Sequence, residues 1–217
     1  MNVEIVVLAL IAFFVGLRLV SVLGRRTGHE QPIARPVERV AVPPPVSGPL
    51  APSRADPVNP LDEALEPRAI DGIRAIVAAD PGFDLGRFIE GAKAAYKMTL
   101  EAFWEGDEEE LARLADDEVR SAFGHAIAAR KAAGHRFENR LVAINRAVVE
   151  AARLEGQMAC ITVRFDADIA AVTRDAEDNV VAGSTSDAVE THDVWTFSRH
   201  VRADDPNWIL VETDEAA

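Results

Sequence analysis

The clearest helical pattern in the chain runs over residues 84–104. Its apolar positions are Leu85, Phe88, Ile89, Ala92, Tyr96, Leu100 and Phe103. Because the steps between them are three or four residues, they form one stripe on a helix of 3.6 residues per turn. Asp84 is placed to cap the first free amide groups, and Gly106 to take the left-handed conformation after the last turn. The pattern predicts the helix on which the folded domain is built.

Residues 61–79 show a second helical pattern, which starts after Asn59 and Pro60 and stops at Asp80. This helix either packs on the domain or lies as an amphipathic arm on a membrane or a partner. Pro67 falls near its second turn and could kink or split it.

Two shorter helices are predicted downstream of residue 106. Asp107 caps one that runs to Leu114, with Glu110 placed for a capping box. Asp116 begins the other, and Gly134 ends it. The acidic clusters at both starts are interpreted as helix caps rather than metal ligands, because their spacing does not fit a calcium loop.

After Gly134 the pattern changes to alternation with period two, which predicts strands. The strands are expected at 141–149, 159–165, 189–201 and 208–213, with turns at 155–157, 178–179 and 205–207. Gly183 to Ser186 is interpreted as a loop next to Asp187. The order predicts an α+β fold, with N-terminal helices packed on one face of a curved four-stranded antiparallel sheet.

The segment 3–23 is an apolar run long enough to cross a bilayer, which needs about 20 residues. Arg18 lies close enough to its end to reach the head groups, and Arg25 and Arg26 follow it. A cleaved signal peptide is the rival interpretation, but it normally carries positive charge before the apolar run. The flanking charges favour a retained single-pass anchor with the N-terminus outside and the rest of the chain in the cytoplasm.

Residues 32–60 are rich in proline and have no apolar period, which is typical of an extended spacer. The favoured interpretation is a tether without a recognition role, since its Pro-x-x-Pro matches do not exceed what the composition gives by chance. The predicted organisation is therefore an anchor at 1–24, a disordered linker at 25–60 and a domain at 61–217. Within that domain, 61–82 form a helical arm and 83–214 the core.

The charge of the chain is unevenly distributed. Residues 1–60 hold 6 Lys and Arg against 4 Asp and Glu, whereas residues 61–217 hold 17 against 32, a net charge of -15. Phosphate backbones and anionic head groups would repel such a domain, so nucleic acid is not an expected partner. The single cysteine, Cys160, lies in an apolar run and is expected to be a buried, inert thiol.

No catalytic motif stands out in the sequence, and no catalytic, cofactor-binding or metal-binding residue is assigned. The five histidines do not cluster, and His192 and Asp193 would point to opposite faces of a strand. A single inward carboxylate could still act as a general base in an apolar cone, as in ketosteroid isomerase-like domains. A small-ligand-binding or isomerase-like enzyme is therefore the alternative hypothesis.

Large apolar side chains are expected between the helices and the sheet. The candidate set is Tyr96, Leu100, Trp104, Phe165, Trp195, Phe197 and Trp208. They either fill a plain core or line an apolar pocket that would accept an acyl chain or an apolar segment of a partner.

Several blocks of the sequence, in this order, resemble the bacterial relatives of the mitochondrial inner-membrane translocase subunit forty-four. They are Leu-Gly-Arg-Arg-Thr-Gly-His-Glu at 23–30, Phe-Asp-Leu-Gly-Arg-Phe-Ile-Glu-Gly-Ala-Lys-Ala-Ala-Tyr at 83–96, Glu-Gly-Asp at 105–107, Ile-Thr-Val-Arg-Phe at 161–165, Val-Trp-Thr-Phe at 194–197 and Asp-Pro-Asn-Trp at 205–208.

This resemblance implies a membrane-attached, non-enzymatic adaptor with a cone-shaped domain related to the nuclear transport factor two superfamily. It also implies a large apolar pocket that meets lipid. The implied partners are inner-membrane lipid and the translocation machinery or other membrane proteins, and self-association is left open. The chain lacks the long charged N-terminal region that recruits the import motor in mitochondria, so a tethering role at the bacterial inner membrane is expected instead.

Overall fold

The computed structural model describes residues 64–215. A 3-10 turn, Pro67–Ala69, leads into four helices: α1 Ile70–Ala79, α2 Leu85–Glu105, α3 Glu108–Leu114 and α4 Asp117–Ala132. Five strands follow: β1 Arg136–Phe137, β2 Arg140–Glu155, β3 Met158–Arg174, β4 Val180–His200 and β5 Ile209–Glu215.

Helix α2 forms where the apolar stripe predicted it, and both of its ends are capped as expected. The Asp84 carboxylate accepts from the Arg87 amide at 2.7 Å, and Gly106 adopts the left-handed conformation with φ of 77°. The stripe is buried against the sheet at Phe88, Ile89, Ala92 and Tyr96. The central prediction about the domain is therefore confirmed.

The strands form one antiparallel sheet in which β3 lies at the centre. It pairs with β2 on one side and with β4 on the other, and β5 pairs with the far edge of β4. Strand β1 pairs with the end of β3 beside β2. Register shifts interrupt three places in β2 alone, and such bulges bend strands and increase twist. The α+β fold, with helices packed on an antiparallel sheet, is confirmed.

The predicted sheet was wrong in two details. It has a fifth, two-residue strand at Arg136–Phe137, and β4 begins at Val180 rather than at residue 189. Residues 183–186 therefore lie in a strand and not in a loop. Gly183, with φ of 82°, is paired with Val172 next to a register shift, so a bulge accommodates it while pairing with β3 continues.

The first helix was predicted to begin at residue 61, which lies outside the described residues, and its start was wrong. Ala64 to Glu66 are not helical, and Leu65 forms a bridge to Val149 on the edge of β2. Glu66 is extended, with ψ of 144°, because Pro67 disfavours helical conformation in the residue before it. Helix α1 packs on β2, which confirms the packed alternative over the free arm.

A glycine makes this packing possible. A Cβ atom built on Gly72 would lie 1.8 Å from the carbonyl oxygen of Ala152, so α1 rests directly on the backbone of β2. We expect Gly72→Ala to lower the free energy of unfolding by about 1–3 kcal/mol, since backbone must move to relieve the clash. Gly91→Ala is the matched control, because a Cβ atom built on Gly91 meets no neighbouring group within 4 Å outside its own helix backbone. Alanine also has a higher helix propensity than glycine. Urea denaturation of both variants measures the difference.

The acidic clusters act as helix caps, as predicted. Asp107 accepts from the amides of Glu109 and Glu110, and Asp116 from that of Val119. The capping box was wrong, because the Glu110 carboxylate pairs with Arg113, and the Asp107 amide donates to the carbonyl of Ala102.

Within residues 64–215, no helix is both long and apolar enough to span a bilayer. The predicted anchor at 1–24 and the linker at 25–60 lie outside the described residues.

Candidate functional site

A groove of about 550 Å³ opens between α2, α3 and the end of the sheet where β4 and β5 meet. Its apolar lining includes Phe83, Phe88, Met98, Leu114, Phe197 and Trp208, and its polar lining includes Asp84, Arg87, Glu110, Arg113, Arg199 and Asn207. We call this surface the aromatic groove. It is large enough to accept a narrow apolar ligand or a few residues of a peptide.

The start of α2 builds one wall of the aromatic groove. Phe83 and Phe88 flank the cap residue Asp84 in the positions of a hydrophobic staple, with ring centroids 6.1 Å apart. Trp208, from the turn before β5, meets both rings edge-on at 5.9 and 4.8 Å. A local helix-start signal and a distant turn therefore combine into one aromatic surface.

An ion pair closes the end of the groove. Arg199 on β4 pairs with Asp80 after α1, and these side chains are only 14% and 17% exposed. The guanidinium carbon of Arg199 also lies 5.2 Å from the ring centroid of Trp208, within cation–π range. The Arg199 Nε is buried and has no hydrogen-bond partner among the described residues. This pair links the 80–84 connection to the sheet and fixes the position of Trp208.

The structure separates the residues predicted to line a pocket into two groups. Phe197 and Trp208 line the aromatic groove. Tyr96, Phe165 and Trp195 are buried in the core, where Tyr96 stacks on Phe165 at 4.4 Å. Leu100 packs against the edge of that core, and Trp104 lies half-buried in the last turn of α2.

Sequence reasoning missed several groove residues, among them Phe83, Phe88, Met98 and Arg199. The staple pattern around Asp84 could have identified the first two, because it depends only on local spacing. Met98, which is 41% exposed, faces away from the apolar stripe and gave no signal.

A half-buried carboxylate lies on the helix-facing side of the sheet. Asp193 on β4 accepts a hydrogen bond from the Tyr96 hydroxyl at 2.6 Å. Burial raises the pKa of Asp193, and the hydrogen bonds from Tyr96 and Thr191 offset this only in part. Burial and the charge of Asp193 in turn raise the pKa of Tyr96 well above its usual range, so Tyr96 remains a donor. Neither residue is in the lining of the aromatic groove.

This carboxylate gives the fold a pH dependence of defined sign. Its folded pKa lies above the unfolded value of about 3.9. Its contribution to stability is therefore complete below that value and is lost as the pH rises through the folded pKa. Asp193→Asn keeps an acceptor for Tyr96 but cannot ionise. We expect the stability of Asp193→Asn relative to the wild type to increase as the pH rises above about 4, because only the wild-type carboxylate then ionises.

Urea denaturation at several pH values measures this effect, with Asp187→Asn on the same strand as the exposed control. Parallel stability curves for Asp193→Asn and the wild type would contradict the assignment.

His192 and Asp193 have separate partners on the two faces of β4, as predicted. The His192 Nδ1 lies 2.8 Å from Asp166 on the outer face. There Arg164 bridges Asp166 and Glu150, and Glu150 also pairs with Arg68. Cys160 is buried, with its sulfur 3.7 Å from the Ser198 hydroxyl. Among the described residues, no three acidic, histidine or cysteine side chains are grouped to hold a metal ion.

Comparisons with known proteins add a family match and two structural likenesses. The family model described as the Tim44-like domain matches residues 69–215. The crystal structure of the intermembrane space region of chloroplast protein ARC6 is similar, with 16% identity, a TM-score of 0.45, and coverage of 62% of this chain and 98% of that chain.

A putative dehydratase of the NTF2-like family from Streptomyces avermitilis is also similar, with 17% identity and a TM-score of 0.34. That likeness covers 59% of this chain and 97% of the other. No functionally curated protein matches the chain significantly.

Proposed function

The chain belongs to the Tim44-like domain family, and from this premise we propose that it is a non-enzymatic adaptor anchored in the bacterial inner membrane. Its domain would face the cytoplasm, and the aromatic groove would receive an apolar segment of a lipid or of a membrane-protein partner. The expected setting is protein translocation or membrane-protein biogenesis. Self-association remains open within this proposal.

The observation that carries the proposal is the aromatic groove itself. It combines three aromatic side chains that pack on one another, Phe83, Phe88 and Trp208, with the exposed Met98 at its rim. This aromatic wall suits an apolar segment, and methionine adapts to different partners. The charged lining residues include two carboxylates and three arginines. The groove therefore does not repel an anionic head group, unlike the acidic domain as a whole.

The membrane location rests on the sequence of residues 1–24. An apolar run of this length followed by Arg25 and Arg26 favours an anchor whose basic flank is cytoplasmic. The linker at 25–60 would then let the domain search the membrane surface over several nanometres.

The alternative hypothesis, a small-ligand-binding or isomerase-like enzyme, is favoured by one observation, the half-buried Asp193 with its raised pKa. A general base must reach its substrate, however, and the Asp193 carboxylate is bound to Tyr96 outside the groove lining. The adaptor hypothesis accounts for the groove without requiring this carboxylate to react.

Membrane fractionation tests the anchor. We expect the full chain to remain in the pellet after carbonate extraction, because about 20 apolar residues insert stably into the bilayer. A chain lacking residues 1–24 should move to the supernatant. If carbonate releases the full chain, or if the mature protein in cells lacks this segment, the anchoring proposal is wrong.

A further inference from the structure

The aromatic groove has the features of a surface that binds a proline-rich strand. Trp208 stands edge-on to Phe83 and Phe88, with interplanar angles of 62° and 66°. Pro206 lies in the same lining, two residues before Trp208. Phe88 is buried, so the accessible aromatic surface of the groove comes from Phe83 and Trp208, which are half-buried. Polyproline II helices dock into grooves lined by aromatic side chains.

The chain carries a matching segment upstream of the domain. Residues 49–54 read Pro-Leu-Ala-Pro-Ser-Arg, with prolines at the first and fourth positions. A polyproline II helix has three residues per turn, so both prolines lie on one edge and can contact the aromatic surface side by side. Little conformational entropy is lost when such a segment binds, because proline already restricts the free chain.

Charge favours the same pairing. Residues 25–60 hold 5 Lys and Arg against 3 Asp and Glu, a net of +2, whereas residues 61–217 carry -15. Arg54 follows the second proline by two residues, and the groove lining includes the carboxylates of Asp84 and Glu110. The tether is therefore attracted to the acidic domain as a whole, whereas the groove lining itself holds three arginines beside its two carboxylates.

The chain is also long enough to reach. Leu65 is fixed beside Val149 on β2, at the opposite edge of the sheet from Trp208. Crossing from β2 to β5 takes about 15 Å at the usual strand spacing. Residues 53–64 span up to about 40 Å when extended, so the path around the domain is not strained.

We propose that residues 49–54 dock into the aromatic groove as a polyproline II segment and occupy it until a partner displaces them. The tether is then an internal competitor for the groove as well as a spacer. This inference rests on the proposed function, since it assigns a regulation to the same site.

Cysteine crosslinking in the full chain, in its native membranes, tests the docking. In a Cys160→Ser background, Leu50→Cys is combined either with Met98→Cys at the groove rim or with Met158→Cys at the start of β3. The two methionines are matched, with 41% and 40% exposure. Near-ultraviolet circular dichroism of each purified variant checks that the fold is retained.

A bismaleimide should join positions 50 and 98 within one chain about tenfold faster than positions 50 and 158, because docking raises the local concentration. Adding Pro49→Ser and Pro52→Ser should remove the difference. Equal rates for the two pairs, or products that form only between two copies, would overturn the inference. A partner that crosslinks to position 98 in chains with the serine variants would support the proposed function whichever of these results is obtained. The two proposals are therefore tested separately.

Discussion

Phe165→Ala is expected to lower the free energy of unfolding by about 3–5 kcal/mol, because it empties the centre of the core. Phe165 is fully buried on the central strand. Its ring stacks on Tyr96 and meets Trp195 and Phe197 edge-on at 6.1 and 6.5 Å. Alanine would remove one of the aromatic contacts that join α2 to the sheet and leave a cavity that the surrounding rings cannot fill.

Urea denaturation followed by tryptophan fluorescence measures this loss. Val189→Ala is the control, because Val189 is 64% exposed and its truncation should change stability by no more than about 0.5 kcal/mol. A loss below about 1 kcal/mol for Phe165→Ala would mean that the centre of the domain is loosely packed.

The second large effect is expected from Asp80→Ala, which removes one partner of the ion pair at the end of the aromatic groove. Arg199 would keep its charge in a position where its side chain is only 14% exposed. Leaving one charge of a partly buried pair without its partner costs about 1–3 kcal/mol. Asp80→Ala also removes the acceptor of the hydrogen bond from the Gly82 amide. The stability loss should be accompanied by a change in the fluorescence of Trp208, because Arg199 lies against its ring.

An exposed ion pair on α2 supplies the matched control. The Lys97 Nζ lies 3.8 Å from the Glu101 Oε1, and the two side chains are 59% and 49% exposed. Glu101→Gln should therefore change stability by no more than about 0.5 kcal/mol. If Asp80→Ala and Glu101→Gln had equal effects, the Asp80–Arg199 pair would not fix the end of the groove.

The parts of the fold that depend on local chemistry could be predicted from the sequence. The stripe and both caps of α2 follow from short-range spacing, as do the caps at Asp107 and Asp116. The alternation of faces along a strand correctly placed Asp193 opposite His192.

The parts that were missed depend on competition or on distant contacts. The Glu110 carboxylate could accept a hydrogen bond either from the Asp107 amide or from Arg113, and it pairs with Arg113. Gly183 and its small polar neighbours have the composition of a loop, but pairing with β3 extends β4 through them. The non-helical Glu66 is an exception, because the restraint that Pro67 places on it is local and could have been predicted.

The aromatic groove could not be predicted as a unit. Phe83 and Phe88 belong to one helix start, whereas Trp208 belongs to a turn more than a hundred residues later. These residues meet only in the folded sheet. The alternation of faces along a single strand does not show which residues of distant segments will come together. The predicted set of large apolar residues therefore mixed Phe197 and Trp208, which line the groove, with residues of the core.

The most direct test of a membrane-held adaptor that works through its groove is site-specific photocrosslinking in intact membranes. A photoreactive residue replaces Met98 at the groove rim or, in the control, Met158, which has matching exposure at the start of β3. We predict that position 98 crosslinks to a membrane protein or to lipid and that position 158 does not. Equal labelling at the two positions, or crosslinks from position 98 to water-soluble proteins alone, would contradict the account.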